Sequence, residues 1–133
     1  MADNTVTAKI GREHYTTELT TTSHHLIADE PKDVGGSNIG PRPTDFLRMS
    51  LAACTAMTLR MYADRKEWPV DGIEVHVATE PDGQGTRFNR EVIVTGDVSQ
   101  EQLDKLLEIA NACPVHKILT NPIAVDTLLN RGS

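Results

Sequence analysis

The 133-residue sequence is poor in what several function classes require. Aromatic residues make up 4% of it, so a core has to be packed from Leu, Val, Ile, Met and Ala. No run of Lys or Arg appears and the net charge is −6, which argues against general affinity for nucleic acid. There is no dinucleotide fingerprint, Walker loop, nucleophile elbow or HExxH zinc motif. Cys113 and His116 are three apart, but no second Cys/His pair has zinc-site spacing, so no metal is expected. His24 and His25, if in a strand, point to opposite faces and cannot both serve one site. Met1 to Thr5 are polar and lack an apolar segment of the leader type, so the expected location is cytoplasmic. No internal repeat or low-complexity linker divides the chain, and residues 1–133 read as one domain.

What is present centres on the stretch from Pro41 to Ala63. It holds no Gly, no Pro after Pro43, and no charge between Met49 and Leu59. Leu, Ala and Met favour a helix, and Pro43, Thr44 and Asp45 give it a start. Leu47, Leu51, Cys54, Thr58 and Met61 fall near one face, yet the opposite face is also small or apolar. A helix without a polar side is expected to be buried over most of its surface. Arg48 and Arg60 bracket it too closely for a membrane span. Trp68-Pro69 must end it.

Strands are expected at residues 5–10, 15–22 and 24–28, with Gly11-Arg12-Glu13-His14 as a turn between the first two. A polar loop then runs from Asp29 through Gly35-Gly36 to Pro41. After the helix, Ile73, Val75 and Val77 alternate with polar neighbours, Pro81 to Gly85 form a turn, and 86–98 supply the partner strand. Phe88, Val92 and Val94 share parity there. Ser99 and Gln102 make a capping box ahead of Leu103, Leu106, Leu107 and Ala110, a helix expected to end near Ala112. Cys113-Pro114 restarts the backbone as a short helix. A last strand is expected over 123–129. The sum is an α+β pattern.

The two cysteines admit two readings from composition: inert buried thiols, or a redox pair in a reducing compartment. Cys54 in apolar surroundings needs a positive partner from another segment to react. A redox pair requires the two Cα atoms to come within about 7 Å.

Gly40-Pro41-Arg42-Pro43-Thr44-Asp45-Phe46-Leu47, Leu51-Ala52-Ala53-Cys54-Thr55 and Cys113-Pro114-Val115-His116-Lys117 resemble the OsmC/Ohr family of osmotically induced and organic-hydroperoxide-resistance proteins. Asp29-Glu30-Pro31, Gly35-Gly36 and Arg60-Met61-Tyr62-Ala63 resemble a less characterised OsmC-like branch of it. The resemblance implies an intertwined homodimer, with strands of both chains around two central helices. It also implies thiol-dependent reduction of organic hydroperoxides, with regeneration by an external dithiol and no metal or flavin cofactor. Cys54 matches the peroxidatic cysteine and Cys113 the resolving one. Arg12 is the candidate for the arginine that steadies the thiolate. The family places a Glu in the first helical turn as that arginine's partner; Thr44 stands at this place and the carboxylate is Asp45, about 100° further round the helix. A small hydrophobic-ligand-binding or redox-sensing protein on the same fold is the alternative function.

Overall fold

The computed structural model describes residues 4–132. The chain divides into two compact units, Met1–Met49 and Ser50–Ser133, and each is taken by itself.

The first unit is an antiparallel meander of β1 (Thr7–Lys9), β2 (Thr17–Thr20) and β3 (His25–Ala28), in that order across the sheet. Thr7 faces Thr20, and Thr17 faces Ala28. The loop after β3 holds a 3₁₀ turn, Lys32–Val34, and is organised by one buried carboxylate. Asp29 accepts backbone N–H bonds from Tyr15 (3.1 Å), Glu30 (2.8 Å), Ser37 (3.5 Å) and Ile39 (3.3 Å), and a hydroxyl bond from Thr16. Gly36 lies so close to the Glu30 carbonyl that no Cβ fits there. Burial opposes the charge on Asp29, but the N–H donors outweigh it and hold the carboxyl below its usual range.

Helix α1 (Pro43–Arg65) opens in the first unit and runs into the second. Its end is a Schellman motif: Trp68 N–H donates to Ala63 O and Glu67 N–H to Asp64 O, with Glu67 in the left-handed region at φ 58°. Glycine is the usual residue there, and Pro69 follows.

In the second unit β4 (Val70–Asp82) and β5 (Gly85–Gly96) form a long hairpin, Asp82 facing Gly85, with a bulge between Val70 and Gly72. The two-residue connection, Gly83-Gln84, has positive φ at Gly83, as primed hairpin turns demand. Helix α2 (Gln100–Ala110) carries the expected capping box: Gln102 N–H donates to Ser99 Oγ at 3.1 Å and Ser99 N–H to Gln102 Oε1 at 2.9 Å. Helix α3 (Pro114–Leu119) follows with Cys113 as its N-cap. Leu59, Ala63, Val70, Leu106 and Ala110 make the core of this unit. Tyr62 and Trp68 pack edge to face against it, ring centres 5.5 Å apart.

Two expectations need correction. Residues 123–129 form no strand: no sheet edge among the described residues pairs with the segment, and Leu129 is 95% exposed. Within a single chain, helix α1 is not buried over most of its surface. It buries one row, Leu51, Thr55, Leu59 and Ala63, spaced every four residues, while Met57 and Met61 stay exposed. Uniform apolar composition did not reveal which row meets the core.

Candidate functional site

The row that α1 buries also carries the site. Thr55 is fully buried, and its hydroxyl donates to the Leu51 carbonyl at 2.7 Å, the local bond that a mid-helix Thr makes to the residue four back. Cys54, next along the helix, is half-buried. Cys113 is fully buried between α2 and α3. Its position follows from Pro114, which cannot continue α2 but suits the first position of α3. The Cys113 Sγ accepts the His116 N–H at 3.4 Å and lies 3.9 Å from Thr55 Oγ1. Both cysteines are free thiols.

A cation stands beside them, and it comes from β5. Arg90 Nη1 donates to Thr55 Oγ1 (3.0 Å) and to the Ala110 carbonyl (3.3 Å). Its Nη2 donates to Asn111 Oδ1 (2.9 Å) and to His116 Nδ1 (3.3 Å). The guanidinium thereby ties α1, the end of α2 and α3 together. Because Nδ1 of His116 accepts this bond, the imidazole is neutral with its proton on Nε2. Burial, and then the Arg90 charge, push the His116 pKa down in agreement. For Cys113, burial favours the neutral thiol. The His116 N–H, the Cys54 side chain and the Arg90 charge outweigh it, and the pKa falls below the ordinary thiol value.

Arg90 was not singled out from the sequence, but a signal for it existed. It has the parity of Phe88, Val92 and Val94, so it is a charged residue in the half-buried row of a strand. Such a residue needs a polar reason to be there.

The remaining sequence candidates lie in the first unit. Arg12 is exposed in the bend between β1 and β2. Asp45, in the first turn of α1, accepts from Arg48 at 2.6 Å and from the Arg42 backbone N–H at 2.9 Å, and pairs with the Arg42 guanidinium at 3.5 Å. The Arg48 bond first, then the Arg42 N–H, keep its carboxyl below the usual range against the opposing effect of burial. Among the described residues no group of three or more His, Cys, Asp or Glu side chains is arranged to hold a metal ion, and no helix is long and apolar enough to cross a membrane.

A cleft of about 530 Å³ opens beside Arg90. Leu51, Phe88, Val92, Leu107 and Leu119 give it apolar walls, and Arg90 and His116 line it as well.

Fold and site together define an α+β protein with two free thiols and an arginine gathered around the Thr55 hydroxyl. A family model described as OsmC-like protein matches residues 35–128, and the chain belongs to that family. The fold is shared with an OsmC-like protein from Mycoplasma pneumoniae (TM-score 0.74, 19% identity, 86% of this chain and 85% of that one). It is also shared with the organic hydroperoxide resistance protein OhrB of Bacillus subtilis (0.59, 23%, 87% and 89%). A third similar structure is an organic hydroperoxide resistance protein OsmC from Legionella pneumophila (0.62, 20%, 90% and 92%). No curated protein matches the sequence.

Proposed function

We propose that the protein is a thiol-dependent peroxidase that reduces organic hydroperoxides through Cys54 and Cys113. The observation that carries the reading is that two free thiols distant in sequence share one place: Cys54 is the chain neighbour of Thr55, whose hydroxyl lies 3.9 Å from the Cys113 sulfur. Cys54 is the more exposed sulfur and is cast as the one that attacks the peroxide, becoming a sulfenic acid. Cys113 then condenses with it to a disulfide, and an external dithiol restores both thiols by exchange. The names of the hydroperoxide resistance proteins that share the fold are consistent with this chemistry. In this proposal the working form is a cytoplasmic homodimer of a single-domain chain, with the exposed Met57 and Met61 face of α1 available to the second copy. Arg12 is proposed as a further cation for the peroxide, and Asp45 as the anchor of the first turn of α1.

The cleft beside Arg90, apolar along Leu51, Phe88, Val92, Leu107 and Leu119, favours a second reading, a binding protein for a small hydrophobic ligand whose thiols are sensory. One experiment separates the two. Reduced protein is mixed with cumene hydroperoxide and an excess of dithiol, and peroxide consumption is followed. The peroxidase reading expects many turnovers per chain, abolished in Cys54→Ser. Thiol loss without turnover favours the sensor, and thiol loss no faster than in Cys54→Ser rejects both.

A further inference from the structure

The half-buried arginines of this chain come with a carboxylate, except one. Among the described residues they are Arg48, Arg60 and Arg90. Arg48 pairs with Asp45 at 2.6 Å and Arg60 with Asp64 at 2.8 Å. Arg90 pairs with no carboxylate among the described residues. Its Nη atoms donate to three neutral oxygens and to the neutral His116 ring. It meets the Cys113 sulfur only through the Thr55 hydroxyl. A positive charge taken partly out of water is costly without an anion beside it. The chain as a whole carries a net charge of −6, so this cation is not short of acids elsewhere to have been paired with.

The cleft of about 530 Å³ that Arg90 lines has room for such an anion, and all of its lining belongs to the second unit. Three charged side chains line it: Asp82, Arg87 and Arg90. Arg87 and Asp82 cancel each other as an ion pair at 2.7 Å, which leaves Arg90 as the uncompensated charge. His116 lines the cleft too. Its backbone N–H goes to Cys113 Sγ, its carbonyl accepts from Thr120, and its Nδ1 accepts from Arg90. The Nε2–H is then its one uncommitted hydrogen-bonding group. Much of the remaining wall is apolar, from Phe88, Val92 and Leu119 and from Leu107, which is 64% exposed.

Resting on the ligand-binding reading of this cleft, we propose that it takes an amphipathic monocarboxylate: the apolar chain lies along Phe88, Leu107 and Leu119, and the carboxylate accepts the His116 Nε2–H in the field of Arg90. One uncompensated cation balances one negative charge, which favours a carboxylate over a doubly charged phosphate ester. The Nη hydrogens of Arg90 are committed to four acceptors, so it acts through its charge, and His116 supplies the directional bond. Arg90 also fixes the His116 tautomer that carries the Nε2–H. An alkylammonium of the same chain length meets Arg90 as a like charge and is rejected. An alcohol of that length can accept from Nε2–H but brings no charge.

Calorimetric titration of the reduced full-length protein with hexanoate, octanoate and decanoate tests this, with 1-octanol and octylammonium as head-group controls. Octanoate is expected to bind about tenfold tighter than octanol or better, the worth of a charge-assisted hydrogen bond. Octylammonium is expected not to bind. Along the carboxylate series affinity should rise by up to about fourfold per methylene as the apolar wall is covered. Arg90→Met should bring octanoate down to the affinity of octanol. Leu107→Glu, at an exposed position, sets a second carboxylate in the cleft and should weaken octanoate more than octanol. Should Arg90→Met fail to fold, Leu107→Glu decides. Equal binding of octanoate and octanol by the wild type overturns the carboxylate assignment and leaves a ligand-binding cleft standing. Binding of none of the probes overturns both. Octanoate affinity unchanged in Leu107→Glu places the binding elsewhere and overturns the proposal as well.

Discussion

Arg90 holds the second unit together at the point where Cys113 packs against Thr55, and replacing it with methionine measures how much. Two of its contacts are short: 3.0 Å to the buried Thr55 hydroxyl and 2.9 Å to Asn111. The two at 3.3 Å, to the Ala110 carbonyl and His116 Nδ1, are weaker. Methionine keeps most of the aliphatic stem, so the loss falls mainly on the guanidinium. Hydrogen bonds from a charged donor contribute about 1.5–3 kcal/mol each when buried. The Asn111 side is exposed and counts for less, which leaves about 2–3 kcal/mol for the whole substitution. Arg87 supplies the control. It sits on the same strand, pairs with Asp82 at 2.7 Å, and both side chains are more than half exposed (56% and 54%). Arg87→Met should cost less than about 1 kcal/mol. Equilibrium urea unfolding of both variants gives the comparison, with the midpoint shifted and the slope unchanged for a native-state effect. Equal costs for the two substitutions would refute the view that Arg90 braces the site from within the structure.

Three further predictions concern stability. Ser99→Ala removes the Oγ acceptor of the α2 capping box and should lower stability by about 1 kcal/mol, read from thermal unfolding. Glu67→Gly relieves a side chain held at φ 58° and should stabilise by up to about 1 kcal/mol after the entropy of glycine is subtracted; a lowered melting temperature would contradict the Schellman assignment. Asp29 has a folded-state pKa below its unfolded value, so its contribution is full above the ordinary carboxylate range and is lost as pH falls through the folded value. Wild-type stability should therefore drop on acidification more steeply than that of Asp29→Asn, which is less stable at neutral pH because an amide cannot accept from all of the same N–H donors.

Features written into neighbouring residues were legible in the sequence. The capping box needs only Ser99 and Gln102, the hairpin turn only Pro81 to Gly85, and the break at Cys113 only the proline after it. Features that depend on chains of contact were not. Asp29 reads as one acid in a polar loop until β2, β3 and the loop are folded around it. The 123–129 segment has strand-forming Ile123 and Val125, but a strand is defined by a partner, and composition supplies none. Arg90 lay in plain view among half-buried residues of β5, yet its purpose depends on α1, α2 and α3 arriving together. The family resemblance directed attention to Arg12 in the first hairpin, while the arginine that touches the neighbours of Cys113 stands on a different strand.

The account rests on the two sulfurs reaching each other, and oxidation tests that directly. Reduced protein is treated with one equivalent of an organic hydroperoxide, residual thiols are blocked, and the digest is mapped by mass spectrometry. The expected product is a peptide pair joining Cys54 to Cys113, formed within one chain and reversed by a dithiol. Cys54 driven to sulfinic or sulfonic acid while Cys113 stays a free thiol would contradict the account.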